Sequence, residues 1–532
     1  MRTFLRFPGV PAVPAVPVVP VVLAALVAAA LLSPLTAAAP AGAVTLPALS
    51  IPSDPRGAGL APFTGHPVAP RPVTVPAVPQ HPFMAANGSS NVHGDAYQSD
   101  TYEGPGPTGR DLAVRSRLQG GLCGSVTFDS RGRIVTVCMT PGHAPRLMLL
   151  DPHDLGAVAS LTLPGTAGSS PTEVSGGGYF YLDRLDRAVV PTKDGTIQVV
   201  AVRGDALVTQ ARYDLKAAIG TSGIVSVLPD WSGRMWFVTG SGVVGVLDPA
   251  TAAVSTHVLP GETITNSIAV DESGGVFVVS DHALYRFDAR VEGRPTVTWR
   301  AAYDRGSRQK PGQLGRGSGT TPTLIGPASG PDGGYVAITD NADPQMQVLV
   351  MARGTAGPGK VCEQPVFAPG RGADENSLIA VGGDLIVENN YGYVAGDHAL
   401  LRGMLGGRQA DTEPGLARVH VDYTTRTCSL AWSDTVERVP SVVSKVSLAT
   451  GLLYTFTHPT ADELRSAGAK GTAAMPDAWY LTALDVRTGR RVWSRLVGSG
   501  PLFNNHYAPV TLGRDGSAYV GVVGGLVRIK DS

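Results

Sequence analysis

Three observations predict an all-β fold for this 532-residue chain. Short runs of Val, Thr and Leu are separated by turns drawn from 66 Gly and 43 Pro residues, a composition that favours strands over helices. Hardly any stretch carries the apolar spacing of a long amphipathic helix. A strand and turn unit recurs every roughly 40 to 55 residues, which is the period of propeller blades. Together these predict a β-propeller of four-stranded blades.

The clearest unit has strands at 224–229, 234–239, 243–248 and 254–259, with the turn Asp230-Trp231-Ser232-Gly233 after the first. The next repeats it with strands at 264–270, 275–279, 283–288 and 296–301. Laid end to end, units fall near 123–163, 179–214, 224–259, 264–301, 320–367, 376–431 and 441–497, which leaves 507–529 with three strands. A propeller must close its ring, and the usual device completes the last blade with a strand from the other end of the chain. Residues 111–118 are the candidate for that strand. Eight blades follow, with seven as the alternative because the second unit is weakly marked. In several units the third strand ends at an Asp that opens a turn: Asp151, Asp248, Asp288, Asp422 and Asp485.

The N-terminus carries Arg2 and Arg6, an apolar run over 21–32, and the small residues Ala41-Gly42-Ala43. That pattern predicts a Sec-type signal peptide over 1–43 and a secreted, extracellular protein with no stable membrane span after processing, since the run is too short to cross a bilayer comfortably. An uncleaved membrane anchor is the alternative. Residues 44–86 are rich in Pro and read as an exposed, disordered linker. The segment 87–109, with His93, Asp95, Tyr97, Ser99 and Asp100, reads as a polar stretch packing on the propeller and covering its channel mouth; 110–532 form the single propeller domain. Lys and Arg number 43, Asp and Glu 43, and charged residues make up only 16%. That balance offers neither a nucleic-acid surface nor a polybasic membrane patch. The expected partner of this monomer is a small molecule or an extracellular protein or polysaccharide.

In an exported chain the four cysteines are read as disulfides. Segments 124–128 and 133–137 flank a turn, so Phe128 should face Arg133, and the same register sets Cys123 opposite Cys138. Cys362 and Cys428 are then left to each other, on outer strands of adjacent blades. Four buried free thiols are the alternative.

Residues that could carry chemistry gather in the loops entering each inner strand and in those joining second and third strands, which share the top face of a propeller. They are Thr320 and Thr321, Asp340, Asn341 and Asp343, Glu375 and Asn376, Glu388, Asn389, Asn390 and Tyr391, and Asn505 and His506. Converging carboxylate and amide oxygens suit a polar ligand or a hard cation; the cofactor is left open, with calcium held by Glu388, Asn389 and Asp340 as one candidate. Turn capping by the same residue types is the alternative. His506 and His93 are the candidate proton carriers. The glycines of 240–245 match a dinucleotide pattern by letter, but they fall in a hairpin with no following helix to hold a pyrophosphate.

After the apolar Trp479-Tyr480-Leu481, the chain reads Ala483-Leu484-Asp485-Val486-Arg487-Thr488-Gly489-Arg490-Arg491-Val492-Trp493. Ala483, Asp485, Thr488, Gly489 and Trp493 resemble the tryptophan-docking motif of the secreted bacterial pyrroloquinoline quinone (PQQ) type, quinoprotein alcohol dehydrogenase-like β-propellers. Trp299 and Trp432 hold comparable places in two other units. The resemblance covers about 110–532 in architecture. It implies a scaffold on which Trp493 packs between neighbouring sheets. Dehydrogenases on this scaffold typically have a disulfide between adjacent cysteines over the cofactor, and some carry a Cys-x-x-Cys-His haem site; this chain has neither. PQQ is therefore not the expected cofactor, and a binding scaffold acting through top-face loops is the expected function. A cation-dependent, lactonase-like hydrolase and a PQQ-dependent dehydrogenase are the alternatives.

Overall fold

Each repeat unit folds as an antiparallel meander of four strands, and eight such sheets make up the ring in the computed structural model. Residues 49–140, 142–165, 176–289, 293–394, 408–470 and 475–532 are described. The signal peptide expected over 1–43 lies outside them. Blade 1 runs Leu122–Phe128, Ile134–Met139, Arg146–Leu150 and Ala157–Thr162. The weakly marked second unit is a true blade whose inner strand, Tyr181–Leu182, is only two residues long. Blades 3 to 7 follow in order with inner strands Ile224–Pro229, Ala269–Val270, Thr323–Ile325, Ile379–Val381 and Lys445–Ser447. Blade 8 takes Val510–Leu512, Ala518–Val522 and Gly525–Lys530 from the C-terminus, and Ala113–Leu118 closes it as the outermost strand.

Middle strands are sandwiched between neighbouring blades, so they read as unbroken apolar runs, whereas outer strands alternate with solvent. Ile134–Met139 is buried at every position, while Ala157–Thr162 is exposed or half-buried throughout.

Both disulfides form, Cys123 to Cys138 and Cys362 to Cys428, the second joining outer strands of blades 5 and 6. The expected hairpin register needs one correction. Phe128 pairs with Ile134, not Arg133, because Asp129 accepts the backbone N–H groups of Arg131 and Arg133 and draws Arg133 into the turn. An irregularity between Cys123 and Ser125 then restores the cysteine pairing. The same turn recurs as a repeat that the sequence reading passed over. Asp129 with Arg133, Asp183 with Arg187 and Asp230 with Arg234 each pair the carboxylate with the arginine Nε, at 2.8, 2.6 and 2.7 Å.

Tryptophans lock one blade to the next. Trp299 Nε1 donates to Gly354 O at 2.9 Å, and Trp432 Nε1 to Val486 O at 3.0 Å. The Trp432 ring covers Gly489, where a Cβ would lie 2.5 Å from a ring carbon and φ is +69°. At the seam the docking turn is rebuilt from both ends of the domain. Asp531 accepts the N–H groups of Thr108, Gly109 and Arg110 at 2.7, 3.1 and 2.9 Å. In the unbroken turn, Asp485 accepts Arg487 N–H and Thr488 N–H at 2.8 and 3.2 Å. Fully buried Trp493 then covers Gly109, the counterpart of Gly489, and stacks near Phe63 and Tyr454.

The expectation of a free linker over 44–86 is corrected from Leu49 onward. Asp54 N–H bonds Ser499 O, Phe63–Gly65 adds an outer strand to blade 7, and Val73 N–H bonds Leu448 O. Proline removes its own donor but leaves the residues between with N–H groups that meet carbonyls of the blade turns. Among the described residues no helix is long and apolar enough to cross a membrane.

Trp493→Ala should destabilise the protein by about 3 to 5 kcal/mol in denaturant unfolding, the range for emptying a buried aromatic position. Gly109→Val should be damaging as well, since its Cβ would press on the Trp493 ring from a residue at φ +95°. Wild-type stability in both variants would contradict the seam described here.

Candidate functional site

The channel floor is a piece of the chain itself. Carbonyls of Ser90, Ala96, Tyr97, Ser99 and Asp100 accept the N–H groups of Leu182, Val270, Leu324, Ala380 and Val446, the inner strands of blades 2, 4, 5, 6 and 7. Residues 90–102 therefore lie across the axis, and the polar segment expected to cover the mouth is buried inside. His93, Asp95, Ser99 and Asp100 are all at most 3% exposed. His93 Nδ1 lies 3.1 Å from both Asp100 oxygens and 3.0 Å from Ser377 Oγ. Ser377 also donates to Asp100, and Lys445 Nζ contacts Asp100 and donates to Val92 O at 2.9 Å. Burial, aided by Lys445, holds the His93 imidazolium far below the usual range, so the ring is neutral. Burial likewise pushes the Lys445 ammonium down, and the Asp95 charge opposes it. Lys445 and its pairing were missed from the sequence. The signal present was one lysine in the otherwise small and apolar run Ser441-Val442-Val443-Ser444-Lys445-Val446.

At the top face the predicted residues brace the loops. Glu388 accepts Asn376 Nδ2 at 2.7 Å and Ser444 N–H at 2.9 Å, tying blade 6 to blade 7, while Asn376 also donates to Val442 O. Asn389 Oδ1 accepts Ala373 N–H and Tyr391 N–H, and its Nδ2 donates to Arg371 O. Asn390 accepts Glu375 N–H and donates to Val439 O. Asp340 Oδ1 accepts Ala342 N–H and Gln347 N–H, and Asn341 donates to the carbonyls of Arg305 and Arg308. Asn505 accepts Ser441 Oγ and donates to Ala508 O; His506 Nδ1 meets Tyr393 OH at 3.0 Å. Thr321 is buried beside Tyr179. Among the described residues no three His, Cys, Asp or Glu side chains gather as metal ligands. Glu388, Asn389 and Asp340 each already accept N–H donors that brace their loops. His93 belongs to the floor and His506 to the blade 8 loop.

A loop over 303–320 roofs the mouth. Asp343 accepts Ser307 N–H at 2.8 Å, Gly392 N–H bonds Pro311 O, and Tyr507 OH donates to Gly312 O at 3.0 Å, so the loop reaches from blade 5 to blades 6 and 8. Beneath it lies Glu375, half-buried beside Gly319, where a Cβ would come within 2.7 Å of its carboxyl carbon. Burial pushes the Glu375 carboxyl up to about 8, partly offset by the N–H groups of Leu314 and Gly315. Burial also raises Glu388 and Asp340 to about 7 and Asp374 well above its usual range. The mouth is thus lined by carboxyls that hold protons far above ordinary carboxylate pH.

No family model matches the chain. It is 27% identical over 424 residues to an uncharacterized protein of Archaeoglobus fulgidus, covering 75% of this chain and 78% of that one. It is similar in structure to the quinohemoprotein alcohol dehydrogenase from Comamonas testosteroni, with a TM-score of 0.53 at 12% identity over 84% of this chain and 81% of that one. A europium-containing methanol dehydrogenase gives 0.50 at 12% identity over 83% and 98%. At these identities the likeness is one of fold, and it supports the PQQ-like propeller architecture.

Glu388 carries a testable pH signature. Its folded-state pKa is raised from 4.5 to about 7, so the folded protein binds more protons than the unfolded chain between those values. Its contribution is then fully present below pH 4.5 and lost as pH rises through 7. The unfolding free energy of wild type relative to Glu388→Gln, which stays neutral, should fall by ~3 kcal/mol between pH 4 and 8. A constant difference across that interval would show that Glu388 titrates in the fold as it does in the unfolded chain.

Proposed function

We propose that this chain is an exported, non-catalytic propeller that binds a small polar ligand at its roofed top mouth. One observation carries the reading: the 303–320 loop is pinned at Asp343, Asn341 and Tyr507 above a half-buried, proton-holding Glu375. A polar group held under a prebuilt cover is the arrangement of a preorganised binding site, which spends little on ordering when the ligand arrives. Tyr391 is half-buried in the loop that Asn389 braces. The floor formed by 90–102 favours binding from the top face over passage through the channel. A cation-dependent hydrolase would have to draw on Glu388, Asn389 and Asp340 while they keep the bonds that brace their loops. Export rests on the leader pattern of 1–43 and is compatible with the two disulfides.

Purified protein should carry less than one equivalent of calcium by elemental analysis and show no quinone absorbance, and chelation should leave its melting temperature unchanged. Stoichiometric calcium that is lost in Glu388→Gln would establish the hydrolase reading, and a quinone band the dehydrogenase one. Intact-mass analysis of culture supernatant should find a chain beginning near Val44. Full-length protein retained in the membrane would contradict export.

A further inference from the structure

On the bottom face, away from the roofed mouth, the Pro-rich strap crosses a cavity of about 310 Å³. The strap is tied to blade 7 by Arg71 N–H to Thr450 O and Val73 N–H to Leu448 O, and its far end by Asn87 Nδ2 to Val78 O at 3.0 Å. Between these ties Val75 and Val78 face the cavity from above, and Leu324 and Ala380 from the inner strands of blades 5 and 6 form its floor. One wall is the stacked pair Tyr335 and Tyr423, with ring centroids 4.1 Å apart. Protein interiors leave few voids larger than a water molecule, so a space of this size beneath an ordered cover is a built feature. Apolar cavities of roughly half that volume stay dry and take up benzene-sized molecules.

The charges around it select the occupant. Asp95 and Glu103 line the cavity, and among the described residues its lining contains no Lys, Arg or His; Arg353 packs behind the wall, over the Tyr97 ring at 4.5 Å. Asp95 is spent on the turn, accepting Tyr97 N–H, Ser99 N–H and Ser99 Oγ, whereas Glu103 lies exposed at the rim. Tyrosine faces attract cations, and a rim carboxylate adds to that attraction. We propose that this cavity is a second ligand site, for a small aromatic molecule bearing a cationic amine, with the ring under the strap and the amine at Glu103.

The test is calorimetric titration of the full chain with tryptamine and with indole-3-acetate, which share a ring and differ in charge. Tryptamine should bind saturably at one site, and indole-3-acetate at least tenfold more weakly, or about 1.4 kcal/mol. Glu103→Gln should remove most of that discrimination. Val75→Trp, which fills the cavity from the strap, and Ala380→Leu, which fills it from the floor, should abolish tryptamine binding while circular dichroism remains that of the folded protein. No saturable heat with tryptamine, equal affinity for both compounds, or undiminished binding in both filled variants would each overturn the proposal. None of these outcomes bears on the top-face reading, because the two sites share no residue.

Discussion

Everything in this molecule depends on the closure of its ring. Blades bury both faces only against neighbours, so an open seam would expose two sheets at once, and no blade could keep its unbroken apolar strands dry alone. The seam is held by backbone and side chain together. Ala113–Leu118 pairs residue for residue with Gly525–Lys530, and Asp531 gathers the Thr108, Gly109 and Arg110 amides into the turn that Trp493 covers. The motif that one stretch supplies at 483–493 is here divided between the two ends of the domain. Closure therefore requires both termini, and the last tryptophan docks only after the first residues of the domain have returned.

That route explains what precedes it. A chain whose closing strand lies at the outer edge of blade 8, but whose residues 101 and 102 pair beside the inner strand of blade 7, must pass from the channel to the rim within a few residues. The stretch before it is thereby delivered into the channel, where its carbonyls meet the N–H groups that inner strands leave unpaired. Lys445, His93 Nδ1 and Ser377 then gather on the Asp100 carboxylate in the same place. A buried pair of this kind contributes little net stability when intact, but losing one partner strands a charge without water. The cluster thus acts chiefly to make the plug adopt one position.

The blades were legible because a period of turns survives any local ambiguity, and the Trp493 of the Asp485 to Trp493 stretch does pack across a seam of the ring. The cysteine pairing was legible too, although the register that led to it was one residue out at Phe128. The irregularity falls at Gly124, between Cys123 and Ser125, and a glycine inside a strand is the mark such a bulge leaves. The strap was misread because prolines signal extended chain equally well whether that chain is free in water or laid against a sheet. The site was the hardest part. An asparagine that braces its own loop and one that holds a ligand use the same amide, and only the fold shows that Asn376, Asn389 and Asn390 have their donors committed within the protein.

The committed amides also bear on how the top face can act. Asn389 and Asn390 hold the loops that flank Glu375, Asn341 and Asp343 hold the roof above it, and the Glu375 carboxyl itself meets the Leu314 and Gly315 amides of that roof. A change of proton at Glu375 therefore acts on the roof loop it touches. Releasing Glu388 would instead free Asn376 and Ser444 together and loosen the contact between blades 6 and 7. Of these two acidic groups, Glu375 faces the roof loop, while Glu388, the most conspicuous residue of the mouth in sequence, ties two blades of the scaffold together.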